Sequence, residues 1–176
     1  MDWSSLTFDY TPAEFNLRCH YRDGEWGEIE VSTEQEISLP IAATCLHYGQ
    51  EVFEGLKIFA GADGHVRAFR MADNARRIID SAEAVIMAPV TVDLFCRMVE
   101  KIVRLNARFI TPYGTGASFY IRPVELGITP QIAVRHSTEF VFIMMASPVP
   151  LARSVPLFRQ KSVSTRSDYP CQNIQP

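Results

Sequence analysis

The sequence predicts an α+β domain with an antiparallel-dominated sheet and two helices. Three observations point there. Residues 16–32 and 51–70 read as strands folded back around Asp-Gly turn signals. Apolar residues then recur at helical spacing in two consecutive segments. Two bulky apolar runs follow, which restores strand character after the helices.

Taken in order, Asn16 to Tyr21 alternates in side-chain character, Arg22-Asp23-Gly24 turns the chain, and Glu28 to Ser32 resumes the alternation. Glu51 to Ala60 reads as one longer strand, and Ala62-Asp63-Gly64 returns it antiparallel as His65 to Arg70. Asp73 or Asn74 can cap a helix running to about Met87, with Ile78, Ile79, Ala82 and Val85 on its apolar side and Pro89 beyond its end. Thr91 can cap a second helix through Asn106. There Leu94, Phe95, Met98, Val99, Ile102 and Val103 form one stripe, and Arg97, Glu100, Lys101 and Arg104 the outer side. Pro112-Tyr113-Gly114 is a loop, and Ala117 to Val124 and Glu139 to Ala146 read as buried strands.

The composition shifts at Pro148. Residues 148–176 hold five of the eleven prolines and no glycine, with a net charge of +3 against −6 on the rest. The chain therefore divides into a folded unit, 1–147, and a linker-like tail, 148–176. A net charge of −3 gives no footprint for nucleic acid or anionic lipid. No apolar run is long enough to span a membrane, and the start MDWSSLTFDY lacks the pattern of a secretory signal, so a cytoplasmic protein is expected. Cys19, Cys45, Cys96 and Cys171 show neither C-x-x-C nor zinc spacing, so reduced thiols and no metal site are expected.

Several side chains carry candidate chemistry. Arg77 near the start of a helix suits a phosphate dianion, although a solvated helix charge is the commoner fate of such a residue. Tyr120 and Arg122 stand two apart on a strand and so share a face. Arg122 either clamps a carboxylate there or pairs with an acidic neighbour; the residues leave both open. Tyr48 and Phe53 read as core aromatics in a strand region, Gly55 and Gly61 as bulge or turn glycines, and His47 as a hydrogen-bonded histidine.

Three stretches change these odds together: LHYGQEVFEGLKIF (Leu46 to Phe59), FRMADNARR (Phe69 to Arg77) and SFYIRP (Ser118 to Pro123). They resemble the N-terminal small domain of the branched-chain amino acid aminotransferases, fold-type IV enzymes that use pyridoxal phosphate. The resemblance runs from about Asn16 to Pro148. It implies that Arg77 binds the cofactor phosphate, that Phe53 lines the pocket for a branched side chain, and that Tyr120 and Arg122 face the substrate. It also implies that Tyr48, Ile132 and Val134 reach the active site of a neighbouring subunit in a homodimer. The implied reaction moves an amino group from leucine, isoleucine or valine to 2-oxoglutarate, giving glutamate.

Two departures stand out. The family's cofactor-binding lysine precedes a glycine pair and Asn-Tyr, and none of Lys57, Lys101 or Lys161 has that context. Glu125 stands where the family usually has an apolar residue. The expectation is a shortened family member, inactive alone and without a catalytic residue of its own. The alternatives are a non-catalytic dimerising module, or another fold-type IV enzyme such as a D-amino acid aminotransferase or aminodeoxychorismate lyase.

Overall fold

A computed structural model describes residues 3, 6, 7 and 9–150, and the backbone of Gln172–Ile174. The rest of the proposed tail, with Lys161 and Cys171, lies outside the described residues.

Strand β1 (Asn16–Arg22) turns through Asp23 and Gly24, at φ 53° and 90°, into β2 (Glu25–Trp26). Two successive positive φ values match the twist of the paired strands, and Gly24 takes its value without a Cβ penalty. Strand β3 (Glu30–Ser32) pairs with the other end of β1. A short helix α1 (Thr44–Tyr48) follows and ends at Gly49, φ 61°. The stretch expected as one strand is two, β4 (Glu51–Phe53) and β5 (Leu56–Ala60), interrupted at Glu54-Gly55. Strand β6 (Val66–Ala68) returns against β5.

Helix α2 (Met71–Ala84) begins two residues earlier than its expected cap, because Arg70 takes a left-handed conformation and turns the chain into the helix. Helix α3 (Val92–Leu105) starts as expected, with Thr91 Oγ1 accepting from the Leu94 N–H at 3.0 Å. Strands β7 (Ser118–Gly127) and β8 (Phe140–Val149) are longer than their apolar runs and pair over all ten residues. Strand β9 (Gln172–Ile174) pairs with β6.

All nine described strands join one sheet, in the order β2-β1-β8-β7-β5-β6-β9, with β3 on β1 and β4 on β7, and every pairing is antiparallel. The helices cover one face. Phe95, Met98, Ile102 and Ile78 pack on Leu17, Phe119, Ile121 and Phe142. Each fully buried side chain of this size contributes roughly 1.5–3 kcal/mol. Buried Asn106 closes the end of α3: its Oδ1 accepts from Phe15 N, and its Nδ2 donates to the carbonyls of Phe15 and Ile102, each at 3.0 Å. On the opposite face a smaller cluster seats the start of α1, with Ala43 and Cys45 on Leu126, Ile128, Val141 and Ile143. The central part of that face carries the residues of interest.

Candidate functional site

Strand alternation sends Phe119 and Ile121 to the helices and Tyr120 and Arg122 to the other face. The register lines up Lys57, Tyr120 and Ser147 across β5, β7 and β8, with Arg122 beside Met145 one step along. The Arg122 Nε–H donates to Tyr120 Oη at 2.9 Å. Its guanidinium carbon lies 4.6 Å from the centre of the Phe53 ring and 5.3 Å from that of Tyr120. Contacts of this kind hold a guanidinium by its faces and leave edge donors for an anion. A cavity of about 380 Å³ opens here, and its lining includes Asp9, Tyr10, Lys57, Tyr120, Arg122 and Ser147.

A second cavity of about 740 Å³ adjoins it, with Lys57 lining both. Its walls include Gly55 and the cations Lys57, Arg70, Arg76 and Arg77, against the single carboxylate of Asp73. Arg70 and Arg76 are tied to Asp73 at 2.5 and 2.9 Å, and the hydrogen bond from Arg70, with the charges of both arginines, holds that carboxyl below its ordinary range. Arg77 sits in the second turn of α2, past the free N–H groups of the first, so it acts without the helix terminus that its expected position offered. Its side chain is 58% exposed, and its Nε–H donates to Glu54 Oε2 at 2.8 Å.

The break between β4 and β5 lies between Tyr120 of the first cavity and Arg77 of the second. A Cβ on Gly55 would lie 2.1 Å from Tyr120 Oη, so a larger residue there would displace the tyrosine. The Gly55 N–H donates to Glu54 Oε1 at 2.8 Å, and its carbonyl accepts from the buried Asn74 Nδ2 at 3.0 Å.

The expected site residues fall into two groups. Tyr120 and Arg122 line the first cavity and Arg77 the second, and Phe53 joins them through its ring contact with Arg122 rather than by lining either. Tyr48, Ile132 and Val134 line neither. Tyr48 Oη donates to the Ile132 carbonyl, and Ile132 and Val134 are 85% and 90% exposed on a loop. Two readings taken from the residues alone are corrected. Phe53 is 64% exposed at the end of β4, and Tyr48 is exposed at the end of α1, so neither is core and Tyr48 is not in a strand. His47 keeps its hydrogen-bonding role, with Nε2 2.9 Å from the Ile41 carbonyl oxygen.

Glu125 answers the open question about Arg122. Its register neighbours Val52 and Phe142 lie on the helix-covered face, away from Arg122. It is fully buried, neither carboxyl oxygen has a hydrogen-bond partner among the described residues, and burial pushes its pKa up to about 8.

Sequence reasoning passed over Lys57, Glu54 and Ser147. Lys57 alone left a signal, as a cation between Leu56 and Ile58 on a strand. Cys19, Cys45 and Cys96 are free thiols, the first two buried. No helix among the described residues is long and apolar enough to cross a membrane.

No family model matches the chain. It is 36% identical over 149 residues to the branched-chain-amino-acid aminotransferase of Haemophilus influenzae, covering 85% of this chain and 43% of that protein. The Helicobacter pylori enzyme of the same name is 34% identical over 149 residues, covering 85% and 44%. Over 85% of its length the chain is thus similar to branched-chain aminotransferases. It spans rather less than half the length of these relatives. Among solved members of the family, the Thermoproteus uzoniensis enzyme with norvaline superposes with a TM-score of 0.55 at 24% identity, over 76% of this chain and 41% of that one. The Thermobaculum terrenum enzyme in its PLP-bound holo-form gives 0.53 at 21% identity, over 79% and 40%. The shared fold is the small α+β domain of these fold-type IV enzymes.

The residues present fit the phosphate of pyridoxal phosphate. The larger cavity is cationic, and Arg77 lines it with one edge occupied by Glu54 and terminal nitrogens left to donate.

Proposed function

We propose that this chain is the substrate-facing small domain of a pyridoxal-phosphate-dependent branched-chain aminotransferase, acting in the cytoplasm on leucine, isoleucine or valine and on 2-oxoglutarate. One observation carries this reading. Arg122, stacked on two aromatic rings, lines one cavity, a second and cationic cavity lies beside it, and Lys57 lines both.

Each residue then has a task. Arg77 holds the phosphate end of the cofactor, and Lys57, which lines both cavities, adds positive charge between them. Bound there, the cofactor supplies an aldehyde and an electron sink for amino transfer. Phe53 and the Tyr120 ring give a branched aliphatic side chain an apolar wall and keep water from it. When the substrate is the five-carbon dicarboxylate, Arg122 binds its second carboxylate with the guanidinium edge. Tyr120 Oη keeps that edge in place by accepting from Nε. Tyr48, Ile132 and Val134 serve a second copy of the domain in a homodimer, a role supported by the exposure of the loop that bears the last two.

Two lysines lie among the described residues. Lys101 donates to the Ile29 carbonyl at 3.2 Å, while Lys57 lines the cavities in a sequence context unlike that of the family's cofactor lysine. We therefore propose that this chain binds the cofactor without turning over substrate. The test is an absorbance spectrum of the chain with pyridoxal phosphate before and after borohydride, together with an assay of leucine against 2-oxoglutarate. Saturable binding that Arg77→Ala removes, with no transfer, supports the reading. Turnover, or reductive fixation at one defined lysine, overturns the non-catalytic part. Binding untouched by Arg77→Ala overturns the site.

A further inference from the structure

We infer that Glu54 is a positioning residue, which turns the Arg77 guanidinium toward the phosphate and ties that arginine to the substrate-facing pair on β7. The inference rests on the proposed role of Arg77 and goes beyond it. Glu54 is an acid placed against the arginine expected to bind the phosphate, and simple charge counting makes it a competitor. The geometry argues otherwise.

The Glu54 carboxylate uses its two oxygens on two separate tasks. Oε2 accepts from Arg77 Nε at 2.8 Å, and Oε1 accepts from the backbone N–H of Gly55 at 2.8 Å. Its side chain is largely shielded, while that of Arg77 is largely exposed, so the acid is the fixed partner and the arginine the one being held. The backbone on either side is also fixed. Glu54 N donates to the Pro123 carbonyl on β7 at 3.0 Å, and Asn74 of α2 donates to the Gly55 carbonyl at 3.0 Å. Gly55 in turn abuts Tyr120 Oη, the acceptor for Arg122 Nε. One dipeptide thus connects Arg77 on α2 with Tyr120 and Arg122 on β7. Holding Nε fixes the plane of the guanidinium and leaves the terminal nitrogens as its free edge. Without that hold a long exposed side chain must be ordered by the ligand itself, at a cost in binding.

The competing reading predicts the opposite sign. If Glu54 merely neutralises Arg77, removing its charge strengthens phosphate binding. Glu54→Gln separates the two. The amide oxygen can still accept from Gly55 N, which preserves the backbone junction, while its NH2 end cannot accept from Arg77 Nε.

The experiment uses the full chain, titrated with inorganic phosphate by calorimetry, and follows the Arg77 Nε–H resonance by NMR, assigned from Arg77→Lys. We expect Glu54→Gln to weaken phosphate binding about fivefold, the scale of ordering one long side chain, and to shift and broaden the Nε–H resonance. Asp93→Asn, at an exposed acid paired with Arg97 on α3, serves as the control and leaves both unchanged. Phosphate affinity that is unchanged or tighter in Glu54→Gln overturns the positioning role. So does an Nε–H resonance unaltered by the substitution, whether or not phosphate binds measurably. Phosphate binding insensitive to Arg77→Ala defeats the proposed site instead, and the NMR result still decides whether Glu54 holds the arginine.

Discussion

The two faces of the central sheet follow opposite rules, and β7 shows both within one strand. Toward the helices, Phe119 and Ile121 are fully buried in a dry cluster with Phe95, Ile102 and Phe142. Toward the other side, Tyr120 and Arg122 stay half-buried, bonded to one another and stacked with an exposed phenylalanine. The first arrangement gains stability by excluding water from apolar surface. The second spends surface on polar groups that are satisfied locally and still have donors to offer. Sheets of this kind divide the tasks of folding and recognition by the parity of residue number. Glu125 violates that division: it is a carboxyl on the covered face.

The largest effect should come from the covered face. Phe95→Ala removes a fully buried ring from the centre of the core and should cost about 3–5 kcal/mol, read by denaturant unfolding. A loss below about 1 kcal/mol would mean that the helices do not seal that face.

Next comes Glu125. Burial raises its folded pKa to about 8 from an ordinary 4.5. The folded chain therefore keeps a proton that the unfolded chain has released. Stability is fullest below the unfolded value, falls as pH climbs between the two, and levels off above about 8. The loss across that window should be on the order of a few kcal/mol. Glu125→Leu should abolish the dependence and stabilise the domain at pH 8, as measured by unfolding at several pH values. An unchanged slope would place the titration elsewhere.

How much of this was legible follows from the length and regularity of each pattern. Helix α3 was readable because six apolar residues fall at helical spacing behind a threonine cap, and the structure buries all six. Strands β7 and β8 were readable as apolar runs, but their full length was not, since pairing extends them past the apolar residues. Helix α1 was missed because five residues carry no period. The break at Glu54-Gly55 was marked only by a glycine readable as a bulge or turn residue within one strand. The approach of Tyr120, 65 residues further on, shows why a side chain does not fit there. Tyr48 and Phe53 were misread for a related reason: aromatic residues in a strand region suggest a core, and nothing local says which face stays open. The motifs singled out Arg77, Tyr120 and Arg122 through resemblance, yet the place of Lys57 beside Tyr120 shows only when the strands are paired, and that of Glu54 only when α2 is set against the β4–β5 break.

A smaller effect tests the edge of the covered face. Asn106 bonds both backbone groups of Phe15 and ties the residues before β1 to the end of α3. Asn106→Ala leaves a part-buried N–H and carbonyl without these partners and should cost about 2 kcal/mol. Asn106→Asp should recover only the acceptor half of the pattern. Hydrogen exchange at Phe15 N reports this locally, and unchanged protection in the alanine variant would argue against the tie.

The smallest stability effect is expected at the centre of the open face, and there the contrast between the faces is sharpest. Tyr120→Phe keeps the ring that stacks with Arg122 and removes only the oxygen that accepts from Nε. The group lies in a half-buried position beside a cavity, so water can replace it, and unfolding should shift by less than about 1 kcal/mol. The orientation of Arg122 should respond far more, because its remaining contacts are to ring faces and leave rotation in that plane unrestrained. Loss of the resolved Arg122 Nε–H resonance with near-native stability is the expected pairing. A stability loss comparable to that of Phe95→Ala would instead make the Tyr120–Arg122 pair a structural element, and the open face would then be a second core with a polar lining.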